Sequence, residues 1–384
     1  MGYYHLAGGE AWCVREQRLM SVDGSADDLD ATRVQEIPRP AMMSGGRLRV
    51  VGYPVYAEPP ISILELPLTL GSHEGAVATP RRPAVGVKAG AVYTADGDRI
   101  DASHRGKIGF GWSENPARLP DEDANPARMI RGRSFFAGHW GPVFGHILLE
   151  TLPRFWPDID YSGYDHLVFY PKRLETTTIT RKRHIDQLVG AAGPAKADFV
   201  MLANEGARFE QIDIASSPVL MKDAADPRFL EVFDRIADRL LVDHEPGGPL
   251  PRRIYLSRSH LPERKRQAAN ESTVETMMDA FGFTVLHPQE MSIPDQIAAV
   301  RTAEVVAGCD GSALHMSAFA RPGTKVLAID ARTVTNQFLV DQARELDTVH
   351  VLAIDAAMDA RSAPWRIRLR DVRAGLDLLL STGA

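Results

Sequence analysis

The sequence predicts an α/β protein with two doubly wound, parallel-sheet halves facing a cleft, preceded by a β-rich N-terminal region. Three observations carry that expectation. From Ser134 onward, short apolar runs alternate with amphipathic segments, the pattern of strands joined by helices. HEPGGPLPRR (244–253) interrupts the pattern with proline and glycine and reads as a linker. Before about residue 125, β-type runs are broken by proline and glycine and few windows sustain a helical period. The expected divisions are a β-rich region over 1–125, one Rossmann-like half over 126–245, a second over 246–355 and a closing helix over 356–384.

The elements follow in order. LRVVGYPVY (48–56) and ISILELPLTL (61–70) are the clearest N-terminal strands, punctuated by EPP (58–60) and TPRRP (79–83). The polar stretch 113–129 reads as a linker or long loop. FGHILLETLPRFW (144–156) has its apolar residues at helical spacing, and HLVFY (166–170) is a buried strand. RHIDQLVGAAG (183–193) is a helix ended by glycine, and DFVML (198–202) is a strand. A long amphipathic helix spans 226–242, with Asp226 as N-cap and Pro227 at its first position. In the second half, strands at 253–258, 283–288, 304–310 and 325–330 alternate with helices at 271–282, 292–303 and 312–320.

Composition narrows the function. The 384 residues carry 44 Lys+Arg against 50 Asp+Glu, a formal charge of −6, which disfavours a nucleic-acid partner. Two cysteines, Cys13 and Cys309, cannot build a disulfide framework, which suits a reducing compartment. The first residues lack the basic start and apolar run of a signal peptide, and no apolar run approaches a membrane span. A cytoplasmic location is expected.

Three constellations carry chemistry. His146 and Glu150 stand at i, i+4 on one helix face, with Arg154 a turn further on. Glu150 or His146 then serves as a base toward an acceptor hydroxyl, or Glu150 and Arg154 form a plain surface pair. Just upstream, FFAGHWGPVFG sets three glycines and four aromatics around His139, a backbone suited to close approach. HILLE lacks the HExxH spacing of zinc proteases, and no metal site is expected. The second constellation, at 252–271, holds Arg252, Arg253, Arg258, Arg264, Lys265 and Arg266. Arg258 falls at a strand's carboxyl end, where doubly wound sheets bind ligands and where a guanidinium grips a diphosphate. The alternative is a solvated charged loop. The third is GCDGSALHMSAFARPGTKVLAID (308–330), in which Gly311 and Ser312 open a helix whose N–H groups suit an anion. There Asp310 is equally a plain N-cap, and His315 a half-buried core histidine.

The HILLETLPRFW helix together with the second and third constellations resembles glycosyltransferase family 61. That group includes bacterial capsular polysaccharide transferases and eukaryotic xylosyl- and GlcNAc-transferases. The shared pieces run in order from about Gly138 to Ile329. They are a helix with His and an acid four later, then Pro-Arg; an SR…R…NE block; a Gly-Phe-x-Val strand; Gln-Ile in the next helix; and a Gly-Cys-Asp-Gly-Ser-Ala-Leu turn followed by Pro-Gly-Thr. No piece is specific alone; the ordered set is.

The resemblance implies a GT-B-like architecture and an inverting, metal-independent glycosyltransferase, a hexosyl- or pentosyltransferase without cofactor. Its substrates would be a nucleotide-sugar donor, UDP-linked, and a glycan or polysaccharide acceptor. It places Glu150 and His146 as catalytic and His139 and Arg154 on the acceptor side. Ser257, Arg258, Asn270, Glu271, Asp310, Gly311, Ser312 and His315 would bind the nucleotide-sugar. Glu150 stands where aspartate is more usual, and Asp310 and His315 where many members have His and Asn. Two other readings stay open: another GT-B-like enzyme, such as a polysaccharide pyruvyl transferase or a nucleotide-sugar epimerase, and a non-catalytic glycan-binding scaffold. The closing segment 363–382 is amphipathic with four arginines; it is expected to pack back on the N-terminal half, with peripheral membrane contact the lesser alternative. A homo-oligomer is compatible with all of these.

Overall fold

The computed structural model describes residues 3–5, 11–13, 34–37, 47–51, 62–80, 90–103, 115–140, 143–171, 183–221, 223–261, 268–330, 336–352 and 365–381. Several segments singled out above lie outside them: Arg264, Lys265 and Arg266, Gly141, EPP at 58–60, residues 52–56 and 81–83, and the extreme ends of 363–382. The chain forms two compact units, one from Met1–Glu16 with Glu65–Ile236, the other from Gln17–Leu64 with Ala237–Ala384. The division therefore falls after residue 64 and inside the long amphipathic helix, rather than near 125 and in the Pro/Gly-rich stretch.

In chain order the strands of the two large sheets begin with β1 (Val34–Ile37), β2 (Arg47–Val51), β3 (Leu70–Glu74), β4 (Val77–Ala78) and β5 (Val92–Tyr93). Next come β6 (Arg128–Trp140), β7 (His166–Pro171), β8 (Asp198–Met201) and β9 (Ala207–Ala215). The last five are β10 (Arg253–Leu256), β11 (Thr284–Leu286), β12 (Val305–Cys309), β13 (Lys325–Asp330) and β14 (Asp347–Leu352). The helices are α1 (Arg183–Ala192), α2 (Phe229–Leu241), α3 (Glu271–Ala280), α4 (Ile293–Thr302), α5 (Gln337–Ala343) and α6 (Leu369–Ser381).

The first unit's sheet runs β8-β7-β6-β9-β4-β5, with β3 also on β9. Its strands β6 to β9 are mutually parallel, whereas β3, β4 and β5 are joined antiparallel. It is thus a mixed sheet rather than the purely parallel one expected, because segments from before residue 125 complete it. Its core gathers Phe136, Val168, Tyr170, Phe209, Ile212 and Ile214 from three neighbouring strands, the alternation along β9 being shifted by an irregularity between Phe209 and Gln211. The register of β6 on β7 slips between Phe136↔Val168 and Gly138↔Phe169, a β-bulge at Ala137 that re-aims the chain before His139.

The second unit's sheet runs β11-β10-β12-β13-β14-β2-β1, all parallel except the edge strand β1. The strand expected within a separate N-terminal region, 48–56, is β2 of this sheet, tied to β14 by Arg49 Nη2–Asp347 at 2.6 Å. One face packs Tyr255, Ala307, Leu327, Ile329, Val349 and Val351 against Val274 and Met278 of α3 and Val372, Leu376 and Leu379 of α6. The C-terminal helix therefore packs on its own unit's core, which includes the strand Arg47–Val51 from the N-terminal region. Its apolar stripe, Val372, Leu376 and Leu379, lies on the buried face of β13 and β14. Beyond β12 the chain makes a 3-10 helix, Leu314–Phe319, which packs on α4 and α5. The expected α-helix from Ser312 is replaced by this shorter, later one.

Candidate active site

In the second unit the connection order fixes a preferred binding edge. The chain leaves β10 to form β11 on one side, then returns to place β12 on the other. The strand order therefore reverses between β10 and β12, and open α/β sheets bind ligands at the carboxyl ends of the strands flanking such a reversal. Those two ends are Leu256, leading into Ser257 and Arg258, and Cys309, leading into Asp310 and Gly311. Of the sequence-predicted donor residues, Ser257, Arg258, Asp310 and Gly311 thus meet at one place. Arg258 Nη1 donates to the Asp310 carbonyl at 3.3 Å. Gly311 has φ +143, and a Cβ there would stand 3.0 Å from Arg258 Nη1, so glycine lets the guanidinium lie over the turn.

The carboxylate of Glu271, 3% exposed, accepts the Arg258 backbone N–H at 2.7 Å and anchors the start of this loop. Burial raises its titration above the usual carboxylate range, opposed by the Arg258 N–H and charge and reinforced by Glu275. Ser257 is fully buried, and its hydroxyl donates to Glu275 at 2.5 Å, as the Ser259 hydroxyl does at 2.6 Å. The loop is therefore held from α3 through two carboxylates. Asn270 is engaged elsewhere: its amide donates to the Ile367 carbonyl at 2.9 Å and accepts the Ile367 N–H at 2.8 Å. It pins the segment leading into α6. Ser312 stands in the turn that precedes the 3-10 helix. Because that helix has only 6 residues, its dipole offers an anion little.

His315 is 6% exposed, and its Nδ1 lies 2.9 Å from Gln337 Oε1. From there a buried chain continues: Gln337 Nε2 donates to Asp341 Oδ1 at 2.8 Å, and Asp341 Oδ2 is 2.6 Å from His350 Nε2. Asp330 bonds the other ring nitrogen of His350. Burial alone would lower the His350 titration, but the Asp330 charge and the bonds from Asp330 and Asp341 outweigh it and raise it to about 10. Sequence reasoning missed Gln337, Asp341, His350 and Asp330. The available signal was a charged or titratable residue inside an apolar stretch, as in TVHVL and FLVDQA, which is costly to bury without partners.

In the first unit the helical segment 144–155 follows the carboxyl end of β6. It is not one regular α-helix: an α-turn, Phe144–His146, passes into a π-turn, Ile147–Thr151, and then a 3-10 turn, Leu152–Phe155. Pro153 has no N–H to give to Leu149, and the widened turn absorbs that loss. Ile147, Leu148, Leu149, Thr151, Leu152 and Phe155 are all fully buried, which leaves His146 and Glu150 as the polar side chains of its accessible face. His146 Nδ1 and Glu150 Oε1 are 2.8 Å apart.

Arg154 is not the surface group that a plain Glu–Arg surface pair would need. Its side chain is buried, and Nη1 donates to the carbonyls of Ala102 at 2.9 Å and Ala215 at 2.7 Å. Its stem lies against Gly138, which has φ +86, and a Cβ at that glycine would come within 2.6 Å of it. The close approach expected of the glycine-rich stretch is thus made to Arg154. His139 is 8% exposed, its ring tilted 30° to that of Tyr170 at 5.9 Å, and its carbonyl accepts the Thr151 hydroxyl at 2.9 Å. Among the described residues, no group of three or more His, Cys, Asp or Glu is arranged to hold a metal ion. A shallow groove lined by Arg128, Arg131, His166 and Asp198 lies at the amino ends of β6, β7 and β8. Parallel sheets bind at the opposite edge, so no role is assigned to it.

The molecule is thus a mixed α/β protein, with Arg258 and Asp310 just beyond the carboxyl ends of neighbouring parallel strands. Residues 144–327, from the His146 helix to β13, match the family model described as Glycosyltransferase 61. The match bears out the resemblance drawn from the sequence and implies glycosyltransferase activity, with a sugar donor and an acceptor as substrates. No curated protein matches the chain. Among the described residues no helix is long and apolar enough to cross a membrane.

Proposed function

We propose that this protein is an inverting glycosyltransferase of GT-B type that moves a sugar from a nucleotide-sugar, UDP-linked, to a hydroxyl of a glycan or polysaccharide acceptor without a metal. The observation that supports it most is Arg258, held at the sheet's reversal point over Gly311 within the matched segment. A leaving diphosphate needs positive charge as its anomeric bond breaks, and a positioned guanidinium supplies it without reorganising. Glu271, Glu275 and Ser257 keep that guanidinium's loop in place. The base comes from the His146–Glu150 pair. A cytoplasmic role in capsular polysaccharide assembly suits such an acceptor.

The test is calorimetric titration with UDP, GDP, CMP and dTDP in the presence of EDTA. One nucleotide is expected to bind the natural protein, and Arg258→Ala is expected to weaken it about tenfold to a hundredfold, the loss of a charge-assisted bond. Absence of binding by all four, or binding indifferent to Arg258→Ala, overturns the donor site.

A further inference from the structure

We infer that His146 is the proton acceptor of the transfer, working through Nε2, and that Glu150 is its positioning carboxylate rather than the base. This rests on the glycosyltransferase reading above and divides the roles within the pair. An ionised carboxylate only accepts hydrogen bonds, so at 2.8 Å the proton between Glu150 Oε1 and His146 Nδ1 belongs to the ring nitrogen. A neutral imidazole with its proton on Nδ1 has its lone pair on Nε2. Exposure points the same way: the His146 side chain is 29% accessible and that of Glu150 only 9%. A substrate hydroxyl therefore meets the imidazole, and the carboxylate stands behind it. The backbone reinforces the order. His146 closes the α-turn and Glu150 lies in the π-turn, in a segment whose other side chains up to Phe155 are packed into the first unit's core. The carboxylate is thus anchored by buried neighbours, and it holds the ring in one tautomer and one orientation.

The acceptor oxygen forms a bond to the anomeric carbon on the face opposite the leaving group. The anomeric carbon–oxygen bond to the nucleoside diphosphate breaks, and its electron pair stays on the diphosphate. The hydroxyl proton passes to His146 Nε2. The resulting imidazolium is stabilised by Glu150 until it returns the proton to solvent.

Two measurements decide this. Long-range proton–nitrogen spectra of the imidazole rings, with His146 assigned by its absence in His146→Gln, read the tautomer without any substrate. The natural protein is expected to show the Nδ1–H form, and Glu150→Ala to shift His146 toward the Nε2–H form usual for free histidine. An Nε2–H ring in the natural protein overturns the inference. The second measurement is release of nucleoside diphosphate from the nucleotide-sugar, with water or acceptor as nucleophile. His146→Ala is expected to lower kcat by about a hundredfold to ten-thousandfold, with nucleotide affinity unchanged. Added imidazole should restore part of the rate. Glu150→Gln keeps an oxygen facing Nδ1 and should lose less than His146→Ala, mainly in kcat. A Glu150→Gln loss equal to or greater than that of His146→Ala overturns the division of roles. A failed glycosyltransferase reading shows itself separately, as no nucleotide bound and none released by the natural protein. The tautomer result then still decides whether Glu150 sets the ring.

Discussion

Gly138 and Arg154 show how one glycine decides where a buried cation goes. The guanidinium has left water for two backbone carbonyls and the face of Phe136, 5.2 Å from its centre. That placement exists only because residue 138 has no side chain and accepts φ +86. Gly138→Ala adds left-handed strain and a methyl 2.6 Å from the arginine stem, and should destabilise the first unit by about 2–4 kcal/mol. Urea denaturation checks this against Gly247→Ala, where the added carbon meets nothing within 4 Å and the change should stay under about 0.5 kcal/mol. From sequence, the glycine-rich stretch around His139 was legible as a site of close approach. Its occupant was not, because Arg154 reaches it only once the π-turn and 3-10 turn have rotated the helix away from ideal spacing.

At the scale of elements, the strands Arg253–Leu256, Val305–Cys309 and Lys325–Asp330 were legible because each is a short apolar run bounded by turn residues. The helix Ile293–Thr302 was legible too, with Ser292 capping it by accepting the Asp295 N–H at 3.2 Å. Arg258 and Gly311 could be placed from those strand ends alone. The Gln337–Asp341–His350–Asp330 chain could not, since its members meet only through the pairing of β13 with β14 and the return of α5. The destination of the C-terminal helix was equally illegible: an apolar stripe announces that a face is buried but not against what. Leu376 is fully buried among β13, β14 and α3 side chains. Leu376→Ala should therefore destabilise the second unit by about 2–5 kcal/mol, read as a shift in its denaturant midpoint. The first unit's transition should not move; if it moves instead, the helix has been placed on the wrong core.

At the scale of the whole molecule, the buried His350 links the second unit's stability to pH. Its titration is raised from 6.5 when free to about 10 in the fold, so its stabilisation is complete below about 6.5 and fades as pH climbs toward 10. Hydrogen exchange of β13 and β14 amides should accordingly report falling local stability between pH 7 and about 10. His350→Gln should remove most of that slope and cost about 3–5 kcal/mol, because it leaves Asp330 and Asp341 buried without their cation. A slope unchanged in the variant would contradict the network. The same unit also has an unusual order of manufacture. Its strand Arg47–Val51 leaves the ribosome early, yet the neighbour it must pair with is synthesised about 300 residues later. At about 5–20 residues per second that is a wait of about 15–60 s. During it, all of Glu65–Ile236 emerges and can finish folding. The second unit is therefore completed last, and until then Arg47–Val51 waits for the strand it pairs with in parallel.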